Sequence, residues 1–198
     1  MSDLFHPDIP EWYLKAVVAV MVDTPWHTFQ VLTKRADRLS SLLRNSLSFA
    51  AKCEHIWWGV SVEDKKYGLP RITHLVKSGA AVKFLSVEPL LEDLGEIDLA
   101  GVDWVIVGGE SGQGARPMNA HWVSNVQRCC QRFAVPFFFK QWGGRNKKLA
   151  GRLLNGQTYD EMPEIKRAAL PERADRINRS LNLAEKLRGD SAFVQIHV

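Results

Sequence analysis

The sequence predicts an α/β protein built on a parallel sheet, and three observations carry that prediction. Five apolar runs, His27–Lys34, Ile56–Glu63, Val82–Glu88, Trp104–Glu110 and Pro136–Trp142, each end in a polar or charged cluster. The runs centre near residues 31, 59, 85, 106 and 138, spaced 28, 26, 21 and 32 apart, as repeated βα units are. They are nearly continuous rather than alternating, so the strands are expected to be buried on both faces. Periodicity leaves a closed barrel and an open doubly wound sheet as alternatives.

Taken in order, Pro10 to Met21 reads as a helix with Pro10 near its first turn and Trp12, Ala16, Ala19 and Val20 inward. After the first strand, Leu39, Leu42, Leu43 and Leu47 recur on one helical face. After the second, Leu69, Ile72, Leu75 and Val76 do the same, and Ser78-Gly79 supplies a stop. The gap from Leu90 to Gly101 is short and contains Gly95, so any helix there is weak. Asn119 is placed to cap a helix that buries Trp122, Val126, Cys129 or Cys130, and Phe133. Residues 149–163 are rich in glycine and polar side chains and read as irregular. Pro171 then opens a helix with Ile177, Leu181, Ala184 and Leu187 inward, ending at Gly189.

The chain has 198 residues, enough for one well-cored domain. It has no run of about 18 uncharged apolar residues and no basic-then-apolar start, so no membrane span or signal peptide is expected. A cytoplasmic protein is the expectation. Net charge is +4, and residues 145–198 supply the whole excess, with 11 basic against 7 acidic side chains. Such a tail contacts nucleic acid phosphates in some proteins and is a solvated basic helix in more. Cys53, Cys129 and Cys130 have no metal-site spacing, and neighbours 129 and 130 point about 100° apart on a helix. Buried small hydrophobes in a reducing compartment explain them. The six histidines show no metal spacing, and Trp57, Trp58, Trp104 and Trp142 read as core.

Parallel α/β folds bind ligands where strands end. Glu63, Glu88, Glu110 and Lys140 are therefore expected on one rim. The glutamates are suited to acid, base, metal-ligand or ribose-acceptor roles, and equally to helix capping or ion pairing. A small barrel hydrolase would use them with a divalent metal. Gly108-Gly109-Glu110-Ser111-Gly112-Gln113-Gly114 directly follows a strand, where glycines let backbone amides approach a ligand. Arg116 offers a charged fork for a carboxylate or phosphate, and Lys34-Arg35 stands at another strand exit. No Gly-Lys-Ser/Thr follows the glycines, so this is not a P-loop. Lys140 follows three phenylalanines, a setting for a desolvated amine or an ion pair with a rim glutamate.

Six blocks taken together, Met1–His6, Phe29–Arg35, Trp58–Glu63, Leu85–Leu91, Val107–Gly112 and Phe139–Gly144, carry a resemblance, as does Lys148–Gly156. The chain resembles, over residues 1–163, the phage and prophage family of uncharacterised three-cysteine-motif proteins related to radical S-adenosylmethionine enzymes. The resemblance implies a radical-SAM-like partial TIM-type (β/α) barrel over 1–163; the basic helical tail over 164–198, read from its charge and helical pattern, lies outside it. In such enzymes three cysteines after the first strand hold a [4Fe–4S] cluster that binds S-adenosylmethionine for reductive cleavage.

Family members carry those cysteines upstream of the Met1–His6 block, and this chain begins inside that block. The expectation is therefore a C-terminal portion missing its first strands. It would hold no cluster of its own and be inactive alone, whether through a mis-called start, a degraded gene or completion by another chain. By position, Ser2, Asp3, Thr33, Ser61, Glu63, Ser86, Glu88, Gly108, Gly109 and Glu110 would line the cofactor rim. The exposed sheet edge implies a partner protein or self-association. The alternative is a nucleic-acid-binding phage protein without catalytic activity.

Overall fold

A computed structural model describes residues 3–189, without the side chains of Lys147 and Lys148. Its centre is a five-stranded sheet, β1 (Phe29–Thr33), β2 (Ile56–Ser61), β3 (Val82–Val87), β4 (Trp104–Gly108) and β5 (Phe137–Gln141). All neighbours pair in parallel and the strands lie in sequence order, β1-β2-β3-β4-β5. A doubly wound sheet reverses its order at a switch point, and this one does not.

Seven helices accompany it among the described residues: α1 (Glu11–Asp23), α2 (Ala36–Arg44), α3 (Ser48–Ala51), α4 (Leu69–Val76), α5 (Ala120–Phe133), α6 (Lys147–Ala150) and α7 (Arg173–Gly189). The pleat sorts the strand side chains into two sets. Val31, Trp58, Val60, Leu85, Val87, Val105, Val107, Phe137 and Phe139 share one buried cluster with Leu14, Val18, Leu39, Leu43, Leu75, Val123 and Val126 of the helices. The opposite face has its own small aromatic cluster of Trp57, Phe84 and Trp104, flanked by Val82, Ile106 and Phe138. The helices of the core thus cover one face and leave the other to the sheet itself.

That asymmetry corrects the expectation that every strand is buried on both faces. β2 is buried throughout, but Gln30 and Leu32 of β1 are exposed. Three helical faces also differ from expectation. In α1 the inward residues are Leu14 and Val18, while Val20 is 45% exposed. The stripe read from Leu39 to Leu47 is split by a turn at Asn45, so Leu47 precedes α3, yet all four leucines are buried. In α7 nothing is buried, and Ile177 and Leu181 face solvent; Ala184 and Leu187 border α1 as expected, with Leu183 beside them.

Elsewhere expectation and structure agree. Asn119 caps α5 by accepting the His121 N–H, and both Cys129 and Cys130 are buried. Residues 90–101 form no helix; Leu90, Leu94, Ile97 and Leu99 pin the segment to the core. Residues 149–163 are mostly irregular, entered through the short α6.

The segment after β5 serves as a strap. Phe139 N–H donates to Tyr159 O at 3.0 Å, and Phe138 bridges Asp160 antiparallel, so the outer edge of β5 is covered. Trp104 Nε1 then donates to Glu161 O at 2.7 Å, and Ala168 N–H to Pro25 O at 3.0 Å. These partners precede or open strands, so the strap crosses the amino ends of the sheet and delivers α7 to α1. The outer edge of β1 pairs with no strand among the described residues.

Candidate functional site

The carboxyl ends of the strands carry a rim of charged side chains, held as separate pairs. Asp3 comes from the segment before α1. It accepts from Thr33 Oγ1 at 2.8 and 2.9 Å, from Phe5 N–H at 2.9 Å and from Arg35 Nη1 at 2.8 Å. Burial pushes this carboxyl up, but the Thr33 hydroxyl, the Phe5 amide and the Arg35 guanidinium together hold it below its ordinary value. Arg38 of α2 fixes the same segment by donating to the carbonyls of Phe5, His6 and Ile9. Phe5 is fully buried, edge-on to Trp58 with ring centres 6.2 Å apart.

Glu63, just past β2, is buried between two cations. Lys34 Nζ lies 2.5 Å from Oε1 and Arg71 Nη1 2.7 Å from Oε2. Arg71 also donates to Ser61 O at 2.7 Å, so the strand end and α4 share one guanidinium. A buried carboxylate needs such compensation.

Glu88 follows β3. Lys140 Nζ donates to its Oε2 at 2.8 Å and Gln141 Nε2 to its Oε1 at 3.2 Å. Gly108 leaves room for it: a Cβ there would sit 3.1 Å from the carboxyl carbon. Gln141 reaches on to Ser111 Oγ at 2.8 Å.

Glu110 is held by Arg116 through two guanidinium hydrogen bonds, at 2.7 and 2.8 Å, and through the Arg116 N–H at 2.9 Å. Those bonds bring its carboxyl down to about 2. Gly109 faces Trp142 O and Gly143 faces Glu110 O at distances no Cβ would allow. The glycines here serve chain-to-chain approach between the loops after β4 and β5.

Below this rim, on the face without helices, lies an open cavity of about 490 Å³ lined by Gln30, Leu32, Phe84, Ser86, Trp104, Ile106, Phe138 and Met162, with Glu88 and Lys140 at its rim end. Phe84 lies across Gly59, whose missing side chain makes room for the ring.

All the candidates among the described residues therefore stand at strand ends, but the three glutamates form no common cluster. Glu88 and Lys140 come together, as do Asp3, Thr33 and Arg35, and Glu63 with Lys34. Ser2 lies outside the described residues. The anion-binding candidates Lys34, Arg35 and Arg116 each already hold a carboxylate. Sequence reasoning missed Arg38, Arg71, Gln141 and Ser111. Arg71 stands eight residues after Glu63, just inside α4, and that spacing was the available signal. Among the described residues no three His, Cys, Asp or Glu side chains are grouped to hold a metal ion.

These features define an α/β protein with five sequential parallel strands, one helix-covered face, and a charged rim at the strand carboxyl ends. Residues 1–163 match the family described as a protein of unknown function, DUF5131, and the chain belongs to that family. Neither the curated proteins nor the solved structures yield a match. No helix among the described residues is long and apolar enough to cross a membrane.

Proposed function

We propose that this chain carries a five-stranded part of a radical-SAM-type (β/α) barrel of phage or prophage type, and that the barrel needs further strands to act. The observation that carries the reading is topological. Sequential parallel strands with their helices on one face give the wall of a barrel, and the uncovered face is its inner surface. The polar rim stands where such barrels bind ligands. Asp3, Thr33, Ser61, Glu63, Ser86, Glu88 and Gly108–Glu110 would border the S-adenosylmethionine site.

A [4Fe–4S] cluster does not fit the cysteines described here. Cys129 and Cys130 are buried in α5, and burial pushes the Cys130 thiol up to about 12, against the thiolate a cluster requires. Cys53 follows α3 and bonds to Phe49 O. The cluster ligands would come from another segment or chain, docked at the open edge of β1.

Anaerobic reconstitution with ferrous iron and sulfide tests this. The chain alone should retain no stoichiometric cluster and release no 5′-deoxyadenosine from S-adenosylmethionine after reduction. Both should appear when a three-cysteine segment is supplied on a longer chain or a partner. A completed assembly that binds a cluster but never cleaves the cofactor would overturn the radical reading.

A second reading, a nucleic-acid-binding protein without catalysis, is favoured by α7 alone, which is exposed and carries five basic against two acidic side chains. Salt-sensitive binding to DNA or RNA, lost on removing residues 164–198, would support it.

A further inference from the structure

We infer that the cavity on the helix-free face is a binding site for an aromatic α-amino acid. The wall is apolar and largely aromatic. Phe84, Trp104 and Phe138 pack with ring centres 6.0 and 5.9 Å apart, and Leu32, Ile106 and Met162 complete the lining. At about 490 Å³ the space is in the range of small-molecule sites, which pair an apolar body with a few placed polar groups.

The mouth decides the ligand's head group. Glu88 and Lys140 stand side by side at 2.8 Å, one anion and one cation, with Lys140 half exposed. A phosphate ester is disfavoured there, because the only cation among the lining residues is already paired with a carboxylate. A ligand head bearing one charge of each sign is complementary. Its ammonium takes Glu88 and its carboxylate takes Lys140, so the side-chain ion pair opens into two charge-assisted hydrogen bonds. Such a head is neutral overall, and the exchange leaves no charge unpaired. Gln141 holds Glu88 from the far side, and Gly108 leaves space for the carboxylate. The Ser86 hydroxyl, on the same face and nearly buried, is a further donor toward the ligand. All the lining residues belong to this chain; on the barrel reading the cavity lies inside the barrel beside the S-adenosylmethionine site, and its binding test needs no cluster.

Isothermal titration of the full chain with L-tryptophan tests the assignment. Tryptamine, which lacks the carboxylate, and indole-3-propionate, which lacks the amine, serve as comparison ligands. The expected result is saturable binding of tryptophan at least about tenfold tighter than either comparison ligand, the loss of one charged contact. Glu88→Gln and Lys140→Met should each weaken tryptophan by a similar factor, and Ile106→Trp should abolish binding by filling the cavity. Circular dichroism of each variant establishes that it is folded. Absence of tryptophan binding at millimolar concentration would overturn the assignment. Equal binding of all three ligands would overturn it too, because the Glu88–Lys140 pair would then read no head group. Failure of the cluster experiment would leave these outcomes unchanged.

Discussion

Glu63 is the side chain on which the rim near β2 depends. It is nearly buried, Arg71 is largely so, and Arg71 would lose its carboxylate partner if Glu63 were removed. Glu63→Ala should cost about 3 kcal/mol in urea unfolding, the low end for a broken buried pair because Lys34 reaches water. A loss under about 0.5 kcal/mol would mean that Arg71 finds another partner. Gly59 is a second sensitive point. Any Cβ there collides with the Phe84 ring, so Gly59→Ala should destabilise by about 1–3 kcal/mol, the range for overpacking. Glu110 gives a pH signature instead. Its carboxyl is depressed from 4.5 to about 2 in the folded chain, so the Arg116 contact is fully present above pH 4.5 and is lost as pH falls toward 2. An NMR titration of the Glu110 carboxyl carbon should show a midpoint near 2, and a midpoint near 4.5 would contradict the pairing. The acidic candidates were legible because apolar runs mark where strands end. Lys140 was legible as an ion-pair partner for a rim glutamate and Arg116 as a fork for a carboxylate, whereas Arg71 was not, since it meets Glu63 only when α4 folds back.

The elements are where periodicity served well and where it failed. Five strands and the cap at Asn119 were readable, because strand runs and N-caps are local signals. Replacing Asn119 by Ala should cost about 1 kcal/mol and fray the first turn of α5, measurable as faster amide exchange at His121. The inward faces of α1 and α7 were misread for a physical reason. α1 has more than one apolar stripe and only packing on the core selects Leu14 and Val18, while α7 lies outside the core and buries none of its apolar residues. Because α7 buries nothing completely, truncation before Arg173 should leave cooperative unfolding intact and move the melting temperature by only a few degrees, about 1 kcal/mol in a chain of this size. Loss of cooperative folding in that variant would show the strap and α7 to be part of the core.

At the scale of the whole molecule, the two sheet edges are treated differently. β5 is covered by its own chain at Tyr159 and Asp160, whereas β1 has no strand beyond it among the described residues. Phe29 N–H donates to His55 O, and the alternation of a parallel ladder turns Val31 and Thr33 toward β2. The N–H groups of Gln30 and Leu32 therefore point outward, and both residues are exposed. An unprotected edge of this kind is a template for strand addition. Residue-resolved amide hydrogen exchange along β1 in the dilute chain distinguishes an open partial barrel from a closed edge. An open edge gives fast exchange at Gln30 and Leu32, alternating with protection at Val31 and Thr33, and protection of all four once completing strands are added. Slow exchange at Gln30 and Leu32 in the dilute chain would contradict the open partial barrel, because the edge that should receive the rest of the barrel would already be closed.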